Sequence, residues 1–369
     1  MFKIDVKIPA VKAASYAIEI GTGFLRTLWR RIEADFDGHN KFVVTDENLV
    51  SAGHVGALLG QSEAPRFVIS PAGEVSKNID TVVSIIETME QASLGRDSVI
   101  IALGGGSVGD IAGFAAAVFK RGVPVIQIPT TPVSQADASV GGKTGVDSLV
   151  SKNAFGAFWQ PAAVYIDVET LRTLAEREYR AGMVESVKHA LIADESYFDF
   201  LESNLDLILR READVLERLA HYNCRIKASV VEADPREKNQ RRMLNYGHTL
   251  GHAVESASGY ELLHGEAVAI GILGAGLIER ELDLGQAESR ERIRRIFEKL
   301  GVPTSIPSNL TKDKILDTIR RDKKAVNMWP RFVLIEKIGC VYCEDGQWAV
   351  DVERDLVEKV LDELFCPVS

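Results

Sequence analysis

Short runs rich in Val and Ile recur through the first half of this 369-residue chain, separated by stretches with helical spacing. That alternation restricts the fold more than any other feature of the sequence. The runs are Phe42–Val44, Phe67–Ile69, Val99–Leu103, Val123–Ile128 and Ala163–Ile166. They lack the polar residue at every second position that a half-exposed strand carries, so they read as strands buried on both faces, as in a parallel sheet covered by helices. Between two of them Val82, Ile85, Ile86 and Met89 line one face of an amphipathic helix. From about Glu176 the pattern becomes helical and charged, over Ala181–Ile192, Tyr197–Glu232, Thr249–Ser258, Glu266–Glu281 and Glu288–Leu300. A short hairpin over Phe332–Val341 and a helix over Val352–Leu364 complete it. The expected architecture is an α/β domain over residues 1–177, followed by a mainly α-helical domain over residues 178–369.

Charge narrows the function classes. Forty-three Lys and Arg against 53 Asp and Glu leave a net charge of −10, which disfavours general binding to nucleic acid or to anionic membranes. Lys3, Lys7 and Lys12 interrupt any apolar leader, and the longest apolar run, Ala267–Ile278, is too short to span a bilayer. Cys224, Cys340, Cys343 and Cys366 in so long a chain suit a reducing compartment, and the cytoplasm is the expected location. Cys340 and Cys343 have no second cysteine pair or nearby His to complete a zinc site, so they read as ordinary thiols.

Three motifs carry chemistry. Gly104-Gly105-Gly106-Ser107-Val108-Gly109-Asp110 follows a strand and opens a helical run. Glycines there let backbone approach phosphate oxygens, and the helix offers its unpaired N–H groups and positive dipole end. This is the setting of a dinucleotide pyrophosphate site in a Rossmann-like sheet, although the glycine spacing is not the usual fingerprint. His248-Thr-Leu-Gly-His252 places two imidazoles four apart on one helical face, and His264 follows sixteen residues after His248. With Glu185 on an earlier helix they suggest a catalytic metal site with open positions, the spacing alone leaving open which histidines ligate. Finally, Arg121, Lys143, Lys152, Lys188, Lys227, Arg241, Arg242, Lys323 and Lys324 lie in polar, glycine-containing segments. Gly141-Gly142-Lys143-Thr144 suits an anion but lacks the earlier glycine of a nucleoside-triphosphate loop.

Four segments resemble the signatures of the 3-dehydroquinate synthases. They are Pro129-Thr-Thr-Pro-Val-Ser-Gln-Ala-Asp137-Ala-Ser-Val-Gly-Gly-Lys143, Arg180-Ala-Gly-Met-Val-Glu185-Ser-Val-Lys188, Leu244-Asn245-Tyr-Gly-His248-Thr-Leu-Gly-His252 and Leu263-His264-Gly-Glu. The likeness extends from about Val43 to Lys324. It implies conversion of 3-deoxy-D-arabino-heptulosonate 7-phosphate to 3-dehydroquinate and phosphate, a lyase step of the shikimate route to chorismate and aromatic amino acids. The route implied is transient oxidation by NAD, phosphate elimination, re-reduction, ring opening and aldol closure. The cofactors implied are NAD and a divalent metal, zinc or, alternatively, cobalt. Glu185, His248 and His264 would hold the metal, leaving His252 to the substrate. Asp46, Asn48, Glu74, Lys77, Gly105, Gly106, Val108, Asp110, Thr130, Thr131, Lys143 and Lys152 would hold NAD. Asp137, Lys143, Asn153, Lys188, Lys227, Arg241, Asn245, His252 and Lys324 would surround the substrate, with Arg121 supplied by the other subunit of a homodimer.

Departures from the family pattern are confined to loops: Asp147, Ser151 and Gln240 replace a common Asn and two common glycines. Sister sugar phosphate cyclases making valiolones, deoxy-inosose or amino-dehydroquinate are the nearest alternatives. The first two alter the carboxylate-gripping residues, whereas Lys227, Arg241, Asn245 and His252 are all present here; the amino-dehydroquinate type keeps them. A metal-dependent alcohol dehydrogenase would need no phosphate cradle at Gly141-Gly142-Lys143. A catalytically dead relative would have lost a metal ligand, and none is lost.

Overall fold

The computed structural model describes residues 15–320 and 329–365. Lys323 and Lys324 lie outside the described residues. The first half is built as β1 (Ala17–Gly21), α1 (Leu25–Asp35), β2 (Asn40–Asp46), α2 (Glu47–Ser51), α3 (His54–Leu59), β3 (Arg66–Ile69), α4 (Ile79–Gln91), β4 (Ser98–Gly104) and α5 (Gly106–Val118). It continues through β5 (Val125–Pro129), β6 (Lys143–Val146), β7 (Phe155–Phe158) and β8 (Ala163–Asp167). Six strands form one parallel sheet in the order β1-β8-β5-β4-β2-β3. Side chains alternate across it: Phe42, Val44, Ile100 and Ala102 pack under α4 and α5 with Ile85, Met89 and Ile111. Val43, Val99, Ile101 and Leu103 face Leu28 and Ile32 of α1 and Leu58 of α3. Both faces are therefore dry, as the unbroken Val/Ile runs require.

The chain leaves β2 toward β3 on one side and crosses back to β4 on the other. That reversal opens a crevice beyond the carboxyl ends of β2 and β4, where open parallel sheets bind ligands. Asp46 ends β2, Gly104 ends β4, and Thr130 follows β5. The glycines at this crevice serve packing as well: a Cβ on Gly104 would lie 2.6 Å from the Val108 side chain, so only glycine lets the loop turn tightly into α5.

The second half comprises α6 (Glu176–Ala193), α7 (Glu195–Leu209), α8 (Ala213–Ala233), α9 (His248–Ala257), α10 (His264–Glu281), α11 (Ala287–Leu300) and α12 (Lys312–Arg320). The hairpin β9 (Ile335–Lys337)–β10 (Cys340–Val341) and α13 (Arg354–Phe365) end it. Four details depart from the sequence reading. The helical pattern over Tyr197–Glu232 is two helices, broken where Arg211 takes a left-handed conformation (φ 59°). Strand β1 is a short edge strand with no fully buried residue, which is why its sequence Ala-Ile-Glu-Ile-Gly gave no core signal. The β6–β7 hairpin and α12 were also not anticipated. Residues 177 and 178, the expected domain boundary, fall in the first turn of α6.

Glu279 is the most unusual core residue of the helical half. It is 2% exposed, and its Oε1 accepts the Ile335 N–H at 2.9 Å, tying α10 to the hairpin. Burial raises its pKa to about 7, only partly offset by that N–H and by Tyr246 and Arg290. The folded protein thus keeps this proton up to pH 7, whereas the unfolded chain loses it near 4.5. Its stabilising contribution is complete below that lower value and is lost as pH rises through 7, amounting to about 3 kcal/mol. Glu279→Gln keeps the acceptor without the charge. Its stability relative to the parent, from urea unfolding at pH 5 and pH 8, is expected to rise with pH; an unchanged difference would contradict a protonated Glu279.

Candidate active site

One wall of the crevice is the loop before α5. Gly105 caps the helix in an extended conformation, leaving the first N–H groups of α5 without intrahelical partners and open to an anion. A pocket of about 300 Å³ runs from this loop, past Asp46, Asn48, Thr130 and Thr131, to Gly182 on α6 and His264 at the start of α10. It joins the sheet to the helical half. Asp46 also caps α2, accepting the Leu49 N–H at 3.0 Å. Beside the loop, buried Lys77 pairs with Asp110 at 2.7 Å and lies 3.7 Å from Glu74, whose other oxygen accepts from Ser107. Val108 faces the same pocket. Burial weakens the Lys77 ammonium, but Asp110 and Glu74 outweigh it and hold its pKa up. A separate hollow of about 370 Å³ between Ile20, Glu217, Arg218, His221 and Tyr222 has neither a glycine loop nor a cluster of metal-ligand atoms.

Three helices converge at the far end of the pocket. Glu185 on α6 points Oε1 at Nε2 of His248 (3.7 Å) and of His264 (3.6 Å), at the starts of α9 and α10. Ligands at about 2.1 Å from a tetrahedral ion lie about 3.4 Å apart, close to these separations. The Glu185 Oε1 atom is buried without a donor in hydrogen-bonding geometry, while Oε2 accepts from Lys188. A buried carboxylate oxygen facing two imidazole nitrogens fits a divalent cation. His248 places Nδ1 3.1 Å from the Tyr246 carbonyl, which directs its Nε2 lone pair to Glu185. Burial holds His248 well below the usual histidine range, hence neutral. Burial lowers His264 too, but Glu185 and Glu255 outweigh it and keep it at about 9, as in a pocket built for positive charge.

Glycine permits this convergence. A Cβ on Gly265 would sit 1.8 Å from the Ala181 carbonyl oxygen, and one on Gly271 2.0 Å from that of Gly247. Both let α10 lie almost backbone to backbone on α6 and on the start of α9. His252 is exposed, one turn along α9, its ring centroid 5.1 Å from His248 and 5.6 Å from His264. Ligand atoms of these three histidines, and separately of Asp137, Glu185 and His189, fall within 4.8 Å of one another. In the latter group two ammonium ions are already in place: Lys188 on Glu185 and Lys227 on Asp137. Glu185, His248 and His264 bring the orphaned oxygen within 3.7 Å of two imidazole nitrogens, with no ammonium ion on that oxygen.

Between the metal-ligand cluster and the β6–β7 hairpin lie the cations. Asp137 stands in a wide turn over Ser134–Ala138, where the Ser139 N–H reaches back to the Ser134 carbonyl. Burial would raise its pKa, but Lys227 and Lys188 hold it well below the carboxylate range. Burial lowers the Lys227 pKa despite Asp137. Arg241, 1% exposed, forks onto the Gly141 carbonyl at 3.2 Å. Gly141 has φ 96°, and a Cβ there would meet that guanidinium at 2.5 Å. Lys143 pairs with Glu237, and Asn245 donates to the same carboxylate at 3.2 Å. Asn153 (φ 50°) is fixed through its N–H to Asp147, 2.6 Å away. Arg121 (φ 72°) is exposed beyond the far end of α5, about 20 Å from the glycine loop at 1.5 Å per residue. It stands apart from this group.

Glu237, His189 and Glu255 belong to the site yet escaped the sequence reading. Glu255 had a usable signal, continuing the His248/His252 stripe at i+7 on α9. His189 and Glu237 had none, because only tertiary packing brings them to Asp137 and Lys143.

The chain resembles two solved enzymes throughout. One is 2-epi-5-epi-valiolone synthase from Streptomyces hygroscopicus, with NAD⁺ and Zn²⁺ bound (TM-score 0.86, 27% identity, 97% of this chain and 99% of that one). The other is a 2-deoxy-scyllo-inosose synthase complexed with carbaglucose-6-phosphate, NAD⁺ and Co²⁺ (TM-score 0.83, 27% identity, 94% and 96%). The fold is of the class these sugar phosphate cyclases represent. Sequence profiles of the 3-dehydroquinate synthase N-terminal and C-terminal regions match residues 67–181 and 182–325. The 3-dehydroquinate synthase of Ruminiclostridium cellulolyticum is 42% identical over 358 residues, 96% of this chain and 98% of the relative. The chain belongs to the 3-dehydroquinate synthase family.

His264→Ala is expected to abolish stoichiometric zinc by atomic absorption, together with activity. Lys143→Ala is expected to retain zinc and lose turnover by about a hundredfold. Full zinc in His264→Ala would refute the ligand assignment.

Proposed function

We propose that this protein is a 3-dehydroquinate synthase, a carbon–oxygen lyase that converts 3-deoxy-D-arabino-heptulosonate 7-phosphate to 3-dehydroquinate and phosphate. The observation that carries it is a pocket that joins the glycine loop to His264, one of a Glu/His/His cluster whose carboxylate is paired with Lys188, in a member of this family. Residues 1–177 would bind the nucleotide and residues 178–369 the metal and substrate. When bound, NAD would accept and return a hydride, and the metal would polarise the substrate hydroxyls beside the reacting carbon.

The chain's own groups would do the rest. Glu185, His248 and His264 would hold the metal. Gly105, Gly106 and Val108 at the start of α5, with Asp46, Asn48, Glu74, Lys77, Asp110, Thr130, Thr131, Lys143 and Lys152, would seat the dinucleotide. Lys188 and Lys227 flank Asp137 and keep it ionised, so it can accept a hydrogen bond from a substrate hydroxyl without becoming an acid. Arg241, Asn245 and His252 would grip the carboxylate. Lys143, Asn153 and Lys324 would complete the anion sites. A dianionic phosphate held by several donors is turned toward elimination rather than tumbling, the advantage of fixed geometry. Lys227 together with Arg241, Asn245 and His252 makes four donors suited to a carboxylate, which favours this substrate over the uncarboxylated sugars of the valiolone and inosose enzymes.

Arg121 is exposed and remote from its own chain's cluster, and Val118, Phe155 and Phe158 are exposed apolar residues on α5 and β7. These features support a homodimer in which Arg121 serves the partner's site. The cytoplasm is the setting we assign, on free Cys224, Cys340 and Cys343; no helix among the described residues is long and apolar enough to cross a membrane.

Incubation with the heptulosonate phosphate, NAD⁺ and Zn²⁺ is expected to give phosphate and 3-dehydroquinate in equal amounts by mass spectrometry, without net NADH. Turnover only of sedoheptulose 7-phosphate or the amino analogue would move the protein to a sister reaction. Arg121→Ala and His264→Ala, each inactive, are expected to regain about a quarter of parental activity when unfolded together and refolded as a mixture, because half the dimers are mixed and each has one intact site. No recovery would refute sharing of Arg121.

A further inference from the structure

Glu255 bridges two parts of the site that nothing else among the described residues connects so directly. It is 6% exposed, on α9, and its two oxygens face in different directions. Oε2 lies 3.4 Å from Nδ1 of His264. Oε1 accepts from the Lys152 ammonium at 3.1 Å. Lys152 comes from the other half of the chain, in the loop between β6 and β7. It also lies 3.7 Å from Glu74, in the turn beside the glycine loop, and 4.5 Å from the centroid of the Tyr260 ring. A continuous path therefore runs from Glu74 through Lys152 and Glu255 to His264.

We propose that Glu255 is a positioning residue that orients His264 and, through Lys152, links occupancy of the dinucleotide site to the affinity of the metal site. This rests on the functional reading above, in which His264 ligates the metal and the Glu74 turn receives the dinucleotide. A carboxylate on the far nitrogen of a metal-bound histidine fixes its tautomer and ring orientation, and its loss commonly weakens metal binding 10- to 100-fold. The Lys152 loop is held at its base by the Asn153 N–H on Asp147 and by hydrogen bonds between Ser148 and Ser151, its tip carries exposed Leu149 and Val150, and the Lys152 side chain ties it to Glu255 and Glu74. A ligand that fixes Glu74 favours the loop position in which Lys152 reaches Glu255. A metal that fixes His264 favours the same position from the other end. Ordering one end prepays the ordering required at the other, so the sign of the coupling is positive. Linkage makes it reciprocal: NAD⁺ tightens the metal by the factor with which the metal tightens NAD⁺.

The test is zinc affinity of metal-stripped full-length protein, by competition with a chromophoric chelator, with and without saturating NAD⁺. For the parent, NAD⁺ is expected to tighten zinc at least fivefold, and zinc to tighten NAD⁺ equally by calorimetry. Lys152→Met keeps the aliphatic stem. It is expected to bind zinc within about twofold of the parent without NAD⁺ but to lose the tightening. Glu255→Gln is expected to bind zinc 10- to 100-fold more weakly and also to lose the tightening. Lys152 lies on a loop outside the core, so its variant remains informative if Glu255→Gln folds poorly. Full coupling in Lys152→Met, parental zinc affinity in Glu255→Gln, or a parent that binds both ligands independently would overturn the proposal alone. A parent that binds neither zinc nor NAD⁺ would overturn the functional reading and this proposal with it.

Discussion

A carboxylate buried as deeply as Glu185 is tolerated only where cations surround it. Its side chain is 2% exposed, with Lys188 on one oxygen and two imidazole nitrogens facing the other. Burial alone would hold it protonated, yet Lys188 and the histidines keep it ionised well below the carboxylate range. The rest of the helical half can be understood as the framework for this arrangement. Lys188 and Lys227 neutralise Glu185 and Asp137, and both lysines are themselves buried at a cost only those carboxylates offset. Removing any one of the four would leave an uncompensated charge in the core, which ordinarily costs several kcal/mol.

Convergence of α6, α9 and α10 is the mechanical counterpart of that electrostatic demand. Each contributes one member of the Glu/His/His set, and their axes approach only because Gly265, Gly271 and Gly247 lack side chains at the crossings. The sheet meets this framework through the same pocket: the loop before α5 and the first turn of α10 line opposite ends of a single cavity. A hydride acceptor at one end and a polarising ion at the other would act on the same substrate carbon only in such a cavity. The two halves of the chain would thus depend on each other for chemistry, and they share packing as well: Val164 and Ile166 of β8 lie in the same hydrophobic cluster as the buried faces of α6, α9 and α10.

Local patterns were legible in the sequence because local physics produces them. Both-face burial wrote itself into Val99–Leu103 and Val123–Ile128. The glycine turn at Gly104–Gly106 and the i, i+4 pair His248/His252 were visible without any structure. Spacing alone left open which histidine joins His248 on Glu185; family resemblance suggested His264, and the packing of α10 brings it there. Gly141-Gly142-Lys143 was read as an anion loop, and the hairpin it begins was missed, since Phe155-Gly-Ala-Phe158 alternates too weakly to mark a strand. The break between α7 and α8 carries neither Gly nor Pro; Arg211 accepts the left-handed conformation while its guanidinium caps the Leu171 and Arg172 carbonyls at 2.9 and 2.8 Å. His189 and Glu237 acquire meaning only from Asp137 and Lys143, which tertiary packing brings to them.

The most direct test of the site is anomalous diffraction at the zinc edge from crystals grown with Zn²⁺ and NAD⁺. A single strong peak between Glu185 Oε1, His248 Nε2 and His264 Nε2, about 2.1 Å from each, is expected. A peak within the Asp137, Glu185 and His189 cluster, with Lys188 and Lys227 displaced, would contradict it.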